Sequence, residues 1–144
     1  MTFEELDQEL PNGFHDAKIR SVRVDFVARS IVMGMDLLAG LPDTRDPESY
    51  RPGTVSVTQA HMFFLAPPDP NYPVALHGAP VSASGVSVKC GDDAKVGALL
   101  QRIPQDSTAF VFFLDDWNSY LYVAGTTVQF SWDNDEAGSA DLRR

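Results

Sequence analysis

The sequence has little of three things: cysteine, long apolar runs and positive charge. Cys90 is the single cysteine among 144 residues, so neither an internal disulfide nor a thiolate zinc cluster can form. The longest wholly apolar run, 109–114, is far shorter than the ~20 residues of a membrane-spanning helix. The first ten residues are acidic rather than basic, which is not typical of a secretory signal. We therefore expect a soluble, cytoplasmic protein.

Basic residues are outnumbered, with 11 Lys and Arg against 20 Asp and Glu and a formal charge of -9. Phosphate contacts need clustered positive charge, so we expect neither nucleic-acid nor anionic-membrane binding. The apolar fraction of 44% is enough for one core. These values predict a single β-rich domain over residues 1–132, followed by a flexible polar tail over 133–144.

Recognisable catalytic motifs are also missing. The sequence contains no phosphate loop, dinucleotide fingerprint, Gly-x-Ser-x-Gly elbow or His-Glu-x-x-His motif. We therefore expect no cofactor, and we favour a non-enzymatic function.

Hydrophobic periodicity predicts a mainly β (α+β) fold. Thr2 and Glu5 have capping-box spacing ahead of a short helix over 3–10. Alternating apolar residues predict a hairpin over 17–37, and the alternation slips by one residue near Arg20, which indicates a bulge. Further strands are predicted at the ranges 54–65, 72–77, 81–89, 109–114, 120–123 and 126–132.

The remaining patterns complete this architecture. The Pro- and Gly-rich range 40–53 predicts a loop, and a change of phase near Gln59 predicts a second bend. Apolar residues at helical spacing predict a helix at about 92–103 that packs on the sheet, while 109–114 is apolar on both faces and should be central. We expect a bent antiparallel sheet or a partly open sandwich of about seven or eight strands.

An acidic and aromatic turn is the first candidate site. Its residues are Asp115, Asp116, Trp117, Asn118, Tyr120 and Tyr122. Asp and Asn are ordinary turn formers, so a purely structural role is the simpler interpretation. If the aromatic side chains are exposed, the turn is an interaction patch that suits a basic partner protein.

Histidines and carboxylates form the second candidate, a polar site at His15, Asp16, His61 and His77. A carboxylate can orient a histidine, yet strand neighbours point to opposite faces and would not touch. No histidine pair has the spacing of a zinc motif, so we expect no metal site. A structural role is the simpler interpretation here too.

The segments Leu10-Pro11-Asn12-Gly13-Phe14-His15-Asp16-Ala17 and Trp117-Asn118-Ser119-Tyr120 resemble those of small uncharacterised bacterial β proteins that begin with a Gly-Phe-His-Asp-Ala hairpin. The resemblance covers 10–38 and, more loosely, 108–132. It implies a bacterial, single-domain β protein and brings no catalytic residue. In size and acidity alone, the chain is also similar to immunity proteins, which neutralise toxins by binding them.

Two functional hypotheses follow. The first is a non-catalytic protein-binding module, immunity-like in character, with a basic partner protein. The alternative is a small enzyme or a ligand- or metal-binding protein whose site is assembled from His and Asp on different strands. Homo-oligomerisation through an edge strand within 72–89 is compatible with either hypothesis.

Overall fold

The computed structural model describes residues 1–40, 45, 49–71, 79–85 and 94–133. Within these ranges the chain forms two helices and six strands. They are, in chain order, α1 (Phe3–Glu9), β1 (Lys18–Asp25), β2 (Ser30–Leu38), β3 (Tyr50–Leu65), β4 (Ala79–Gly85), α2 (Ala94–Leu100), β5 (Thr108–Leu114) and β6 (Ser119–Trp132). A short 3-10 turn, Asp115–Trp117, links β5 to β6.

All neighbouring strands are antiparallel and follow the order β1-β2-β3-β6-β5-β4, which closes into a ring. The closure is narrow, because β1 and β4 share two ladder pairs, Lys18 with Pro80 and Ile19 with Ala79. The N–H of Val81 adds a 2.7 Å bond to the C=O of Ala17. The predicted mainly β, antiparallel architecture is confirmed as a single bent sheet rather than two stacked sheets.

The expected count of seven or eight strands is wrong for the part of the chain described. The ranges 120–123 and 126–132 form one strand, β6, which runs straight through Gly125. An alanine Cβ at Gly125 would lie 2.8 Å from the C=O oxygen of Thr58, so this glycine permits close backbone approach rather than a chain break. The predicted strand at 72–77 lies outside the described residues, as does the end of the one at 81–89.

The predicted loop at 40–53 is shorter than expected, because β3 begins at Tyr50. Pro52 is tolerated in the ladder opposite Asp36, and its C=O accepts the N–H of Asp133 at 3.1 Å. Gly53 lies under the ring of Phe130, where an added Cβ would be 2.7 Å from a ring carbon. The Pro-Gly pair therefore indicates close packing here, not a turn.

Both predicted irregularities are confirmed. The pairing of β1 with β2 shifts register between Ile19 and Ser21, and the pairing of β3 with β6 shifts between Ala60 and Met62. At the second shift Gln59 has a φ of 47°, in the left-handed region. The phase slips in the sequence therefore mark real bulges, and the second one bends β3.

The core fills the inside of the ring. Helix α1 has the predicted capping box, with the Glu5 N–H donating to Thr2 Oγ1 at 3.1 Å. Its Phe3 is buried against Phe110 and Phe112, and its N–H donates to Thr108 Oγ1 at 2.8 Å. Burial of this apolar face stabilises a helix that is too short to persist alone.

A second, smaller apolar cluster lies on the outer face of the sheet under α2. Val96 of the helix packs with Val111 of β5 and Tyr122 of β6. The central position of β5 is confirmed, since Phe112 faces the main core while Val111 faces this cluster. Helix α2 is shorter than the predicted 92–103, and positions 92 and 93 of that prediction lie outside the described ranges.

Candidate functional site

The tip of the β1–β2 hairpin presents two apolar side chains to solvent. Phe26 is 88% exposed and Val27 is 97% exposed. The carboxylate of Asp25 accepts the N–H groups of Val27 at 2.9 Å and Ala28 at 2.8 Å, and Arg29 takes a left-handed φ of 51°. These bonds define the turn, so the two side chains are held outside the fold rather than left in a strand.

In the hairpin predicted over 17–37, Phe26 continues the alternation of Val22 and Val24 in the sequence and is thereby expected in the first strand, which is wrong. The strand ends one residue earlier, at Asp25, and residues 26–29 form the turn. The Asp at the turn entrance was the available signal, because an Asp side chain can cap the N–H groups two and three residues ahead.

Below the tip, an apolar groove runs between β1 and β3. Its upper part is a cavity of about 670 Å³ whose walls include Val24, Ile31 and Phe63. Its lower part is a cavity of about 280 Å³ whose walls include Phe63 and Trp117. Because Phe63 lines both cavities, they adjoin. We call these two cavities together the β1–β3 groove.

The groove exists because neighbouring strands separate at this point. Strand β1 pairs with β4 only through Lys18 and Ile19, and β2 stops pairing with β3 after Val57. The edge of β1 at 21–25 and the edge of β3 at 61–65 therefore have no ladder partner among the described strands on this side. Two bonds join their upper ends: the N–H of Ala60 donates to the C=O of Arg29 at 2.7 Å, and Nη2 of Arg29 donates to the C=O of Ala60 at 3.5 Å.

A third cavity, of about 490 Å³, lies beside the same edge of β3 on the outer, α2-covered face. Arg29, His61 and Arg102 line it together with apolar residues that include Leu99 and Ile103. Among the described residues that line it, none carries a carboxylate. We call it the arginine cavity. It is locally cationic, although the chain as a whole is strongly acidic.

Exposed large apolar side chains converge on this side of the molecule. Among the described residues there are seven: Met1, Phe26, Val27, Tyr50, Phe63, Leu65 and Leu99. Four of them line the groove or the arginine cavity, and a fifth, Val27, is at the tip above the groove. Singly exposed apolar residues are ordinary in soluble domains, whereas a contiguous set is typical of a contact surface.

The fold separates the acidic residues of the predicted turn from its aromatic residues. Asp115 is exposed in the 3-10 turn, with Asp116 beside it, and Asn118 donates to the carboxylate of Asp69 at 3.1 Å. Trp117 packs against the main core and lines the lower groove.

The two tyrosines of this turn lie on the opposite, outer face. Tyr120 is partly buried there, and Tyr122 is only 3% exposed, in the cluster under α2. The acidic pair therefore remains at the surface while the aromatic members are largely covered.

The histidines lie apart. His15 contacts Asp16, with Nε2 and Oδ2 3.2 Å apart, because Asp16 has a φ of 59° and the pair is in a turn, not the expected strand. Both side chains are largely exposed. Nε2 of His61 is 3.2 Å from Oγ1 of Thr126. His61 lies near the hairpin tip, whereas His15 precedes the other end of β1. At ~3.3 Å per residue, the length of β1 separates the two histidines by roughly 25 Å. His77 lies outside the described residues.

The part of the chain described contains no group of three His, Cys, Asp or Glu side chains arranged to hold a metal ion. Neither of the two described helices, at seven residues each, is long enough to span a membrane.

No protein-family model and no curated protein matches this sequence. Among solved structures, the chain is similar to an uncharacterised protein from Neisseria gonorrhoeae, with 10% identity and a TM-score of 0.48. The alignment covers 81% of this chain and 91% of that protein.

Proposed function

We propose that this chain is a protein-binding module whose partner docks on the hairpin tip and the adjoining β1–β3 groove. The observation that carries the proposal is the exposure of Phe26 and Val27 on a hydrogen-bonded turn directly above an apolar groove. Full burial of one such side chain contributes about 1.5–3 kcal/mol. The tip and groove together therefore offer a typical interface centre.

An immunity-like role, in which the partner is a toxin neutralised by binding, is the form of this proposal that small size and acidity favour. A basic partner remains a prediction for the surface around Asp115 and Asp116. That turn borders the lower groove through Trp117, so one partner can contact both surfaces. A cytoplasmic location likewise remains a prediction.

The alternative hypothesis of a site built from His and Asp on different strands gains no support from the described residues. His15 and His61 are separated by the length of β1, and the one His–Asp contact is exposed to solvent. Catalytic groups usually work in clefts where burial and neighbouring charges tune them.

Site-specific photocrosslinking in a lysate of the source cells tests the proposed function. A photoreactive residue replaces Val27 in one protein and the exposed Gln129 of β6 in a control protein. We expect one discrete protein adduct at position 27 and none at position 129, because only the first position is at the proposed interface.

Competition distinguishes a specific partner from hydrophobic adsorption. Excess unlabelled wild-type protein should suppress the adduct, whereas the folded double variant Phe26→Asp, Val27→Asp should not. An adduct that both competitors suppress equally, or equal labelling at position 129, would contradict the proposal.

A further inference from the structure

The edge of β3 beside the groove exposes backbone hydrogen-bonding groups. Donors and acceptors alternate between the two sides of an antiparallel strand. The N–H of Ala66 bonds the C=O of Tyr120 on β6, which fixes the phase of this alternation. The N–H and C=O groups of Phe63 and Leu65 therefore point away from β6, and the described strands provide no ladder partner on that side.

Beyond the bulge between Ala60 and Met62, this edge has no charged or proline residue to protect it. Natural edge strands carry lysine, proline or other charged groups, or are covered, to prevent pairing with another chain. Residues 60–65 read Ala-His-Met-Phe-Phe-Leu, with neither lysine nor proline. Phe63 and Leu65 are moreover 39% and 38% exposed, so the edge is both unpaired and apolar.

Cavities flank this edge on both faces of the sheet. The groove lies on the inner face, where Ile31 forms part of the wall, and the arginine cavity lies on the outer face below Leu99. Successive side chains of an extended strand point to opposite faces. A strand added to this edge would therefore place alternate side chains in the groove and in the arginine cavity.

The two cavities differ in chemistry. Arg29 lines both the upper groove and the arginine cavity, whereas Arg102 lines the arginine cavity alone, and the guanidinium of Arg102 has no hydrogen bond or ion pair with the described residues. By contrast, Arg20 at the lower groove already pairs with Asp36 at 3.0 Å. Among the described residues that line the groove, Asp25 alone carries a carboxylate, and that carboxylate accepts the N–H groups of the hairpin turn.

We propose that residues 61–65 of β3 accept an extended acidic segment of the partner protein by strand addition, with its apolar side chains in the groove and its carboxylates facing Arg29 and Arg102. This inference rests on the proposed function and specifies the partner's segment. Main-chain bonds to Phe63 and Leu65 provide affinity, and the two cavities provide specificity. A second copy of this chain is the disfavoured occupant, because pairing through its own residues 60–65 would bring no carboxylate to Arg29 and Arg102.

A pair of synthetic peptides tests the inference with the full chain. The probes are acetyl-Val-Glu-Val-Glu-Val-amide and its lysine counterpart, acetyl-Val-Lys-Val-Lys-Val-amide, each titrated while amide NMR signals are followed. We expect the acidic peptide to bind at least about tenfold more tightly. The amide protons of Phe63 and Leu65 should become protected from solvent exchange, since they would enter a new ladder.

Two variants separate the contribution of the Arg102 charge from that of the backbone N–H of Phe63. Arg102→Glu, at an exposed position, should abolish the preference for the acidic peptide without altering the fold. Phe63→Pro removes a donor that points away from β6 and also the ring that lines the groove and the arginine cavity, so Phe63→Ala, which keeps the donor, is its control. Both peptides should lose binding to Phe63→Pro and keep part of it with Phe63→Ala, while the amide signals of the β3–β6 ladder remain unchanged. If Phe63→Pro does not fold, Arg102→Glu alone decides the matter.

Several results would overturn the inference: equal affinity for the two peptides, no binding up to the solubility limit, or protection confined to the β1 edge. A dimer in sedimentation that Phe63→Pro dissociates would identify a second copy as the occupant. The proposed function is judged separately. If the Val27 crosslink persists unchanged in Arg102→Glu and Phe63→Pro, a partner docks at the tip without strand addition.

Discussion

Replacing Gly125 by alanine should destabilise the fold strongly, because two strands meet there at backbone distance. Gly125 is buried opposite the bulge of β3. The new Cβ would lie 2.8 Å from the C=O oxygen of Thr58 and 3.2 Å from that of Gln59, and it would also collide with a methyl group of Val57. Backbone oxygens cannot swing aside as a flexible side chain can.

The expected cost follows from this geometry. Overpacking a well-filled site typically lowers the free energy of unfolding by about 1–3 kcal/mol. Because the neighbours here are rigid backbone atoms, we expect a loss of about 2–3 kcal/mol for Gly125→Ala. Urea unfolding followed by circular dichroism measures the free energy of unfolding, and an unchanged slope with denaturant would show that the surface exposed on unfolding is unchanged.

Gly97→Ala is the matched control. Gly97 lies within α2, and an added Cβ there meets no atom within 4 Å. The change in the unfolded chain is the same in both variants, so the difference between them reports the native contact. Gly97→Ala should stabilise the protein by up to about 0.5–1 kcal/mol. A loss below about 0.5 kcal/mol for Gly125→Ala would refute the close-approach argument.

Three further predictions concern the core and the tip. Phe112→Ala should lower the free energy of unfolding, measured with urea, by about 3–5 kcal/mol. Phe113 is partly exposed, so Phe113→Ala should lower it clearly less. Equal losses would contradict the assigned core face of β5. Thr108→Val leaves the buried N–H of Phe3 without its acceptor and should cost about 1–3 kcal/mol by the same measurement, unlike Thr108→Ser, which keeps the hydroxyl. Asp25→Ala should increase amide exchange at the hairpin tip, because the N–H groups of Val27 and Ala28 lose their acceptor. Asp25→Asn keeps an acceptor oxygen and should largely preserve the protection of these amides. Equal exchange in the two variants would contradict the assigned role of this side chain in the turn.

Local patterns in the sequence predicted most elements, because their causes are local. The capping box at Thr2, the bulges near Arg20 and Gln59 and the two-faced burial of β5 depend on residues close together in the chain. Glycine and proline were misleading where a tertiary contact determines their role. Gly125 and Pro52 indicated breaks, yet both lie within strands because of what packs opposite them.

The candidate surface was harder to predict, because it depends on which strands separate. Strand β2 begins beside Val57, so the residues of β3 after Val57 have no pairing partner from β2. Nothing near Phe63 or Leu65 in the sequence indicates this. Arg29 and Arg102 are distant in the chain, and only the fold brings them to one cavity. The acidic turn at 115–116 was located correctly as a turn, but the covering of Tyr122 by α2 is a tertiary effect.

The narrow closure between β1 and β4 bears on how adaptable the groove is. The ring is joined there by few bonds, and Pro80 offers no N–H to the ladder. Strand β1 is both the closing strand and one wall of the groove, while the long β3–β6 ladder connects the two halves of the ring. Because Met33 and Met35 of β2 are fully buried in the main core, we expect movement to be confined to the end of the β1–β2 hairpin, around residues 22–29. The width of the groove would then adjust to side chains of different size while the rest of the core stays packed.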